Sequence, residues 1–352
     1  MVLKIDGSMG EGGGQILRVS VALSTILGKP IRLHNIRRRR SPSGLRPQHK
    51  TAVEALTRMS KASVEGLKIG STRLTFSPAK LTGGRFFFDT GTAGSVSLIL
   101  QSLLPVMAFS TRRFHVEVCG GTNNPMAPPV DYLEGVLLPT VSKMGLNASI
   151  QLRKRGFYPR GGGIVKAEVE PIEQLKPLTL TEFKAIQEIT GASYSSRLPC
   201  HIVERMAKSA GKTLTDGGHK DAKIRLECLQ PNDRKCARDP GTGILLLAKL
   251  LPQGILGSDS LGELGKPAEQ VGWEAASNLI NQLAAASPVD KFLGDQLIIY
   301  MALASGPSTI RVSELTLHTL TCMAVSKIIA GVSFNVTGSQ GKPATITCGG
   351  RI

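Results

Sequence analysis

In the stretch SELTLHTLTCMAVSKIIAG, residues 313–331, one histidine, His318, sits where a strand gives way to a helix, with threonines on both sides. Imidazole is nucleophilic near neutral pH and leaves well once protonated, so such a residue suits covalent catalysis. A histidine satisfied at a helix start is the ordinary alternative. A second candidate lies in DGSMGEGGGQILR, residues 6–18, where a short strand opens into a helix. Its glycines let the backbone approach a phosphate, and Glu11 among them could bind a divalent cation that bridges phosphates. A tight turn with a solvated glutamate competes. No GK[ST] follows, and GEGGG does not fit GxGxxG with an acidic residue downstream, so neither nucleotide-loop fingerprint applies. Arg18, on the helix that follows, either reaches a phosphate or is a surface charge.

The third candidate is IRRRRSPSGLRPQHK, residues 36–50, with six basic side chains and no acidic residue anywhere between Glu11 and Glu54. Serines and Pro42 make it a loop that directs arginines outward, and guanidinium forks bind phosphate oxygens with two hydrogen bonds. Gln48 and His49 then open a helix. GGTNNPMAPPVDY, residues 120–132, is a proline-stiffened loop that suits a base-binding wall or a structural turn. RGFYPRGGGIV, residues 155–165, joins an aromatic pair to three glycines before a strand, the composition of a close backbone approach to a ligand or to another strand. FLGDQ, residues 292–296, puts Asp295 and Gln296 at the head of an apolar helix, where Asp295 is a good N-terminal residue or a group that positions an imidazole or a nucleotide.

The elements that must hold these residues follow from composition and rhythm. At 352 residues with 41% hydrophobic content the chain builds a large core and has room for two domains. Aromatics are only 4%, so aliphatic residues dominate that core. A formal charge of +17 attracts polyanions, nucleic acid or nucleotide first. The six cysteines form no CxxC pair, which argues against a zinc knuckle, and their scatter fits reduced thiols in a cytoplasmic protein. Asp6 and Glu11 fall where a signal peptide needs an apolar run, and VSLILQSLLPVMAF, broken by Gln101 and Pro105, is too short to span a bilayer; no membrane partner is expected.

Three segments, from Gly12, Thr92 and Phe292, share one rhythm of small residues, an apolar helix and a strand. A second beat of loop, helix and strand follows each, from Gly44, Asn123 and Leu317. The expected class is α/β (α+β): three repeated βαβαββ units forming a large domain from residues 1–181 and 276–352, with a small inserted α/β domain at 182–275. Such a repeat gathers helix starts around one centre, and helix N-termini attract phosphates.

These blocks resemble the RNA 3'-terminal phosphate cyclases. GEGGGQILR, GLRPQH, TAGSVSLILQ, GGTNNPMAPPVDY, RGFYPRGGG, DPGTGILLLA, LGELGKPAEQVGWEAA, FLGDQLIIYMALASG and TLHTLT all look like that family's blocks in that family's order, over nearly the whole chain. The resemblance implies an ATP-dependent ligase that turns an RNA 3'-phosphate into a 2',3'-cyclic phosphate, on repeats resembling the C-terminal domain of translation initiation factor three. It further implies His318 as the nucleophile that carries AMP, and Glu11 as a ligand of Mg2+ or Mn2+. Arg18, Arg37, Arg40, Gln48 and His49 would meet the RNA end, and Gln101, Pro128, Phe292, Leu293, Gly294, Asp295 and Gln296 the ATP. The partner is RNA with a 3'-phosphate end, and the chain a monomer or homodimer. The family often has small residues between its two loop arginines, whereas this chain has Arg38 and Arg39, which leaves open which arginines touch the phosphate.

Three other readings compete. A non-catalytic relative acting in ribosome assembly would lack the nucleophilic histidine. An enolpyruvyl transferase would use repeated α/β units without a covalent nucleotide. A plain RNA-binding protein would not turn over ATP.

Overall fold

The computed structural model describes residues 2–351. Among them the chain mixes helices with four four-stranded sheets. The first comprises β1 (Leu3–Asp6), α1 (Gly14–Leu27), β2 (Ile31–His34), α2 (Pro47–Ser60), β3 (Ser63–Glu65) and β4 (Leu74–Ser77). The next comprises β5 (Gly84–Asp89), α3 (Val96–Ala108), β6 (Phe114–Gly120), α4 (Val130–Tyr132) running through a π-helical stretch Leu133–Leu137 into α5 (Leu138–Val141), then β7 (Ala148–Lys154) and β8 (Gly163–Val169). A two-residue strand β9 (Thr179–Leu180) comes before β10 (Ala185–Ser196), α6 (His201–Asp216), β11 (Lys223–Leu229), β12 (Gly241–Leu251), β13 (Ile255–Leu261) and α7 (Ala268–Ala284). The chain closes with α8 (Lys291–Leu303), β14 (Ser308–Val312), α9 (Leu317–Ala330), β15 (Phe334–Thr337) and β16 (Ala344–Cys348).

Three sheets have one pairing pattern. In β1-β2-β4-β3 and in β5-β6-β8-β7 the first pair is parallel and the rest antiparallel. The sheet β9-β14-β16-β15 repeats that pattern, with β9 parallel to β14 and the remaining pairs antiparallel. The fourth sheet, β11-β10-β12-β13, carries α6 and α7 and has its own apolar cluster, in which Met206 and Ala210 of α6 meet Val271, Ala275 and Leu279 of α7. Because α7 runs unbroken past residue 275 with one buried face, we propose that the insertion extends to the end of that helix. β9 contributes too few residues for a period-two pattern to be visible in sequence.

The helix starts that matter most have side-chain caps. Thr316 accepts the Thr319 N–H at 3.0 Å at the head of α9. At the head of α8 the cap is Asp290, not Asp295: its carboxylate accepts the N–H groups of Phe292 and Leu293 at 2.8 and 2.7 Å. Asp295 lies one turn further in, which releases its carboxyl from capping. The structure also corrects the reading of the thiols. Cys200 and Cys228 form a disulfide between the start of α6 and strand β11, while Cys119, Cys236, Cys322 and Cys348 are free. The two partners are 28 residues apart, so spacing carried no sign of the pair. No helix of the described residues is long and apolar enough to cross a membrane.

Helices α6 and α7 approach closely because Gly272 has no side chain. A Cβ there would lie 2.2 Å from the Met206 carbonyl oxygen, which is backbone and cannot swing aside. Gly272→Ala should therefore destabilise the insertion by about 2 kcal/mol or more, read as a lower midpoint of denaturant unfolding.

Candidate functional site

Helix α1 packs on both α9 and α3, so its first turn becomes the floor of a cleft. Two glycines, Gly10 before that turn and Gly14 at its first position, allow close packing. A Cβ on Gly10 would lie 2.1 Å from Thr321 Oγ1 of α9, and one on Gly14 would lie 2.1 Å from His49 Nε2 of α2. Three helix starts are thereby drawn together, and the Glu11 N–H adds a bond to Thr321 Oγ1 at 3.1 Å.

His318 is the second residue of α9 and remains about half exposed. Its Nδ1 lies 2.6 Å from Gln15 Oε1. A carbonyl oxygen only accepts, so Nδ1 carries the proton and Nε2 keeps a free lone pair. Nε2 lies 3.6 Å from Glu11 Oε2, and Nδ1 4.0 Å from Asp295 Oδ2. Burial lowers the imidazole's pKa, with Arg18 and Arg40 acting in the same sense against Glu11. Burial pushes the Asp295 carboxyl up to about 7, opposed by the Gln15 amide and Arg18.

The other residues singled out in the sequence divide by environment. Glu11 is nearly buried, and its Oε2 accepts from Arg40 Nη2 at 2.6 Å while its Oε1 has no protein partner. Arg18 borders the same cleft beside Asp295 and Glu11. Arg37, in a left-handed backbone conformation, turns back on its own loop and donates to the carbonyls of Pro42 and Gly44. Arg38 and Arg39 are exposed, the latter donating to Gly10 O at 2.8 Å. Gln48 and His49 serve backbone groups here: Gln48 Oε1 accepts the Ser95 N–H at the head of α3, and buried His49 accepts the Arg46 N–H at its Nδ1. Burial holds the His49 pKa well below the usual range, so that ring is neutral.

The cleft has a volume of about 630 Å3. Of the residues expected around a nucleotide, Gln101, Pro128, Phe292, Asp295 and Gln296 line it together with His318. Leu293 and Gly294 do not: Leu293 is fully buried, and Gly294 faces Val312, where a Cβ would lie 2.9 Å from a methyl group. Sequence reasoning missed Gln15, whose signal is its place one helical turn before Arg18 on the same face. It also missed Asp259 and Lys266, by which the insertion walls the cleft; long-range packing of that kind has no local signature.

The loop from Asn124 to Pro128 forms another wall, and a buried ionic network behind it fixes its position. Arg155, 1% exposed, pairs with Asp131 at 3.0 Å and with Glu227 of β11 at 2.7 Å, and its guanidinium lies 4.0 Å from the Tyr194 ring centroid. Asn123 accepts from Arg155 and donates to Tyr194 Oη. The RGFYPRGGG motif thus locks the second sheet to the insertion. Arg155→Met should cost about 3 kcal/mol, because the largely buried Asp131 loses its counter-charge while Glu227 keeps only Arg225, measurable by denaturant titration.

A neutral imidazole, a buried carboxylate and arginines around one cleft, on a mixed α/β frame, are groups that enzymes use on phosphate. The model of the family described as RNA 3'-terminal phosphate cyclase matches residues 9–336. A protein named RNA 3'-terminal phosphate cyclase from Desulfurococcus amylolyticus is 45% identical over 351 residues, covering 99% of this chain and 98% of its own. Its namesake from Thermococcus gammatolerans is 46% identical over 344 residues, covering 98% and 97%. The chain belongs to the RNA 3'-terminal phosphate cyclase family of enzymes. Among solved structures, the enolpyruvyl transferase NikO from Streptomyces tendae aligns with a TM-score of 0.27 at 10% identity, over 99% of this chain and 65% of that one, too weak a likeness to bear on fold or activity.

Proposed function

We propose that this chain uses ATP to close an RNA 3'-phosphate into a 2',3'-cyclic phosphodiester, with AMP carried on His318 Nε2. The observation that carries this reading is the Gln15–His318 contact of 2.6 Å, which leaves Nε2 unprotonated toward the cleft. In the first step Nε2 attacks the α-phosphorus of ATP. A P–N bond forms, the bond to the bridging oxygen breaks, and pyrophosphate leaves with that electron pair. The ring now carries a positive charge, which the Gln15 carbonyl and the Glu11 and Asp295 carboxyl groups face. In the second step an oxygen of the RNA 3'-phosphate attacks the same phosphorus, and neutral imidazole departs. In the third the neighbouring 2'-hydroxyl gives its proton to solvent water and attacks the terminal RNA phosphorus, and AMP leaves with the electron pair of the broken P–O bond. Holding hydroxyl and phosphorus on one ribose makes that step intramolecular, an advantage of roughly 7–11 kcal/mol.

Arg18 and Arg40 border the place where negative charge develops and act through charge-assisted hydrogen bonds. Glu11 fits one end of a divalent cation site, because its Oε1 is buried without a protein partner. No group of three or more His, Cys, Asp or Glu able to hold a metal occurs among the described residues. Mg2+ or Mn2+ would be held here by the Glu11 carboxylate as its protein ligand. Such an ion would offset charge on the transferred phosphate. His318 itself distinguishes this reading from that of a non-catalytic relative.

With α-³²P ATP, His318→Ala should abolish label transfer to the protein; a variant that still becomes labelled would overturn the nucleophile assignment.

The rate of self-adenylation requires a neutral ring, so it rises with pH through the His318 pKa and then levels. Since burial lowers that pKa, the rising limb should lie below pH 6.5, the ordinary histidine value. Gln15→Leu frees the ring to change tautomer and should slow labelling about tenfold or more without unfolding the protein. Single-turnover rates against pH for both proteins would test this, and an unchanged rate in the variant would contradict it.

A further inference from the structure

The exposed tip of the RGFYPRGGG loop has no part in the chemistry above. Phe157 is buried beneath it against Gly241, whose Cβ would lie 2.2 Å from the ring. Tyr158, by contrast, turns its ring to solvent and is 76% exposed. The loop is firmly anchored, so the ring is presented on a fixed base: the Arg160 N–H and Nε each donate to Asp239, at 2.9 and 2.8 Å. Arg238 of the insertion lies against the same loop, since a Cβ on Gly162 would meet its Cδ at 2.7 Å. Arg238 is exposed and forms no ion pair among the described residues.

Contacts carry this surface back to the site. Gly161 abuts Thr92 and Ala93, and Gly94 abuts Gln48, with hypothetical Cβ distances of 2.6–3.2 Å. A strip therefore runs from the head of α2, beside the basic loop, across residues 92–94 to Tyr158 and Arg238. An exposed aromatic ring next to a free guanidinium is the pairing that holds single-stranded nucleic acid: the ring stacks on a base of any sequence and the cation meets the backbone.

We infer that the RNA upstream of the reacting 3' end follows this strip, with a base on Tyr158 and a phosphate on Arg238, so that the insertion takes part in substrate binding. This rests on the RNA reading given above. The test compares KM for a 3'-phosphorylated dinucleotide, too short to reach the loop, with KM for a decanucleotide. Tyr158→Ala and Arg238→Glu should each raise KM for the decanucleotide about fivefold or more, and the charge reversal should weaken the salt dependence. Tyr158→Phe should behave as wild type. Dinucleotide cyclisation and labelling by ATP should be unchanged in all three. Variants that keep the wild-type KM for the decanucleotide would overturn the inference. Wild-type protein that cyclises neither substrate would instead remove the RNA reading, and this strip with it.

Discussion

A single hydrogen bond, from His318 Nδ1–H to the Gln15 carbonyl, sets which imidazole nitrogen is free in this cleft, and the proposed chemistry depends on it. Imidazole has two nitrogens of similar basicity, and only the one without a proton can form a bond to phosphorus. An amide oxygen at 2.6 Å decides which nitrogen that is. The surrounding construction serves that contact. It joins the second residue of α9 to the second residue of α1, so it survives only while those two helices keep their relative position. Thr316 at the head of α9, the Glu11 N–H on Thr321 and the side-chain-free Gly10 against Thr321 all act on that position.

Electrostatics set the remaining terms. Arg18, Lys266 and Lys291 line the cleft against Asp259, Glu263 and Asp295, and Glu11 and Asp295 both lie within 4.0 Å of the imidazole. Burial keeps the ring neutral before reaction. In the proposed reaction the two carboxyl groups would favour the positive ring formed while a phosphoryl group is attached. The Arg40–Glu11 pair keeps the carboxylate oriented, leaving one of its oxygens without a protein partner.

Much of this was legible in the residues and some was not. The apolar helices, the alternating strands and the resemblance gave the mixed α/β class and the family. The structure brings His318, Glu11, Arg18 and Asp295 together, and each was conspicuous in the sequence as a charged or nucleophilic residue in a Gly-rich or helix-start context. Gln15 was not, because an uncharged amide at a helix start looks the same whether it faces solvent or a histidine some 300 positions away. Gln48 and His49 read as ligand contacts in the sequence, and the structure adds a bond from each to a backbone N–H at a helix start, which the sequence did not show. Asp295 resembled a helix cap until Asp290, five residues earlier, proved to occupy that role. The disulfide, the two-residue strand β9 and the cleft wall built by the insertion depend on three-dimensional proximity alone.

The most direct test is a crystal structure of the protein after incubation with ATP. The account predicts continuous density from the AMP phosphorus to Nε2 of His318, with Nδ1 still bonded to Gln15. Phosphorus bonded to Nδ1, or AMP bound without any covalent link to the ring, would contradict it.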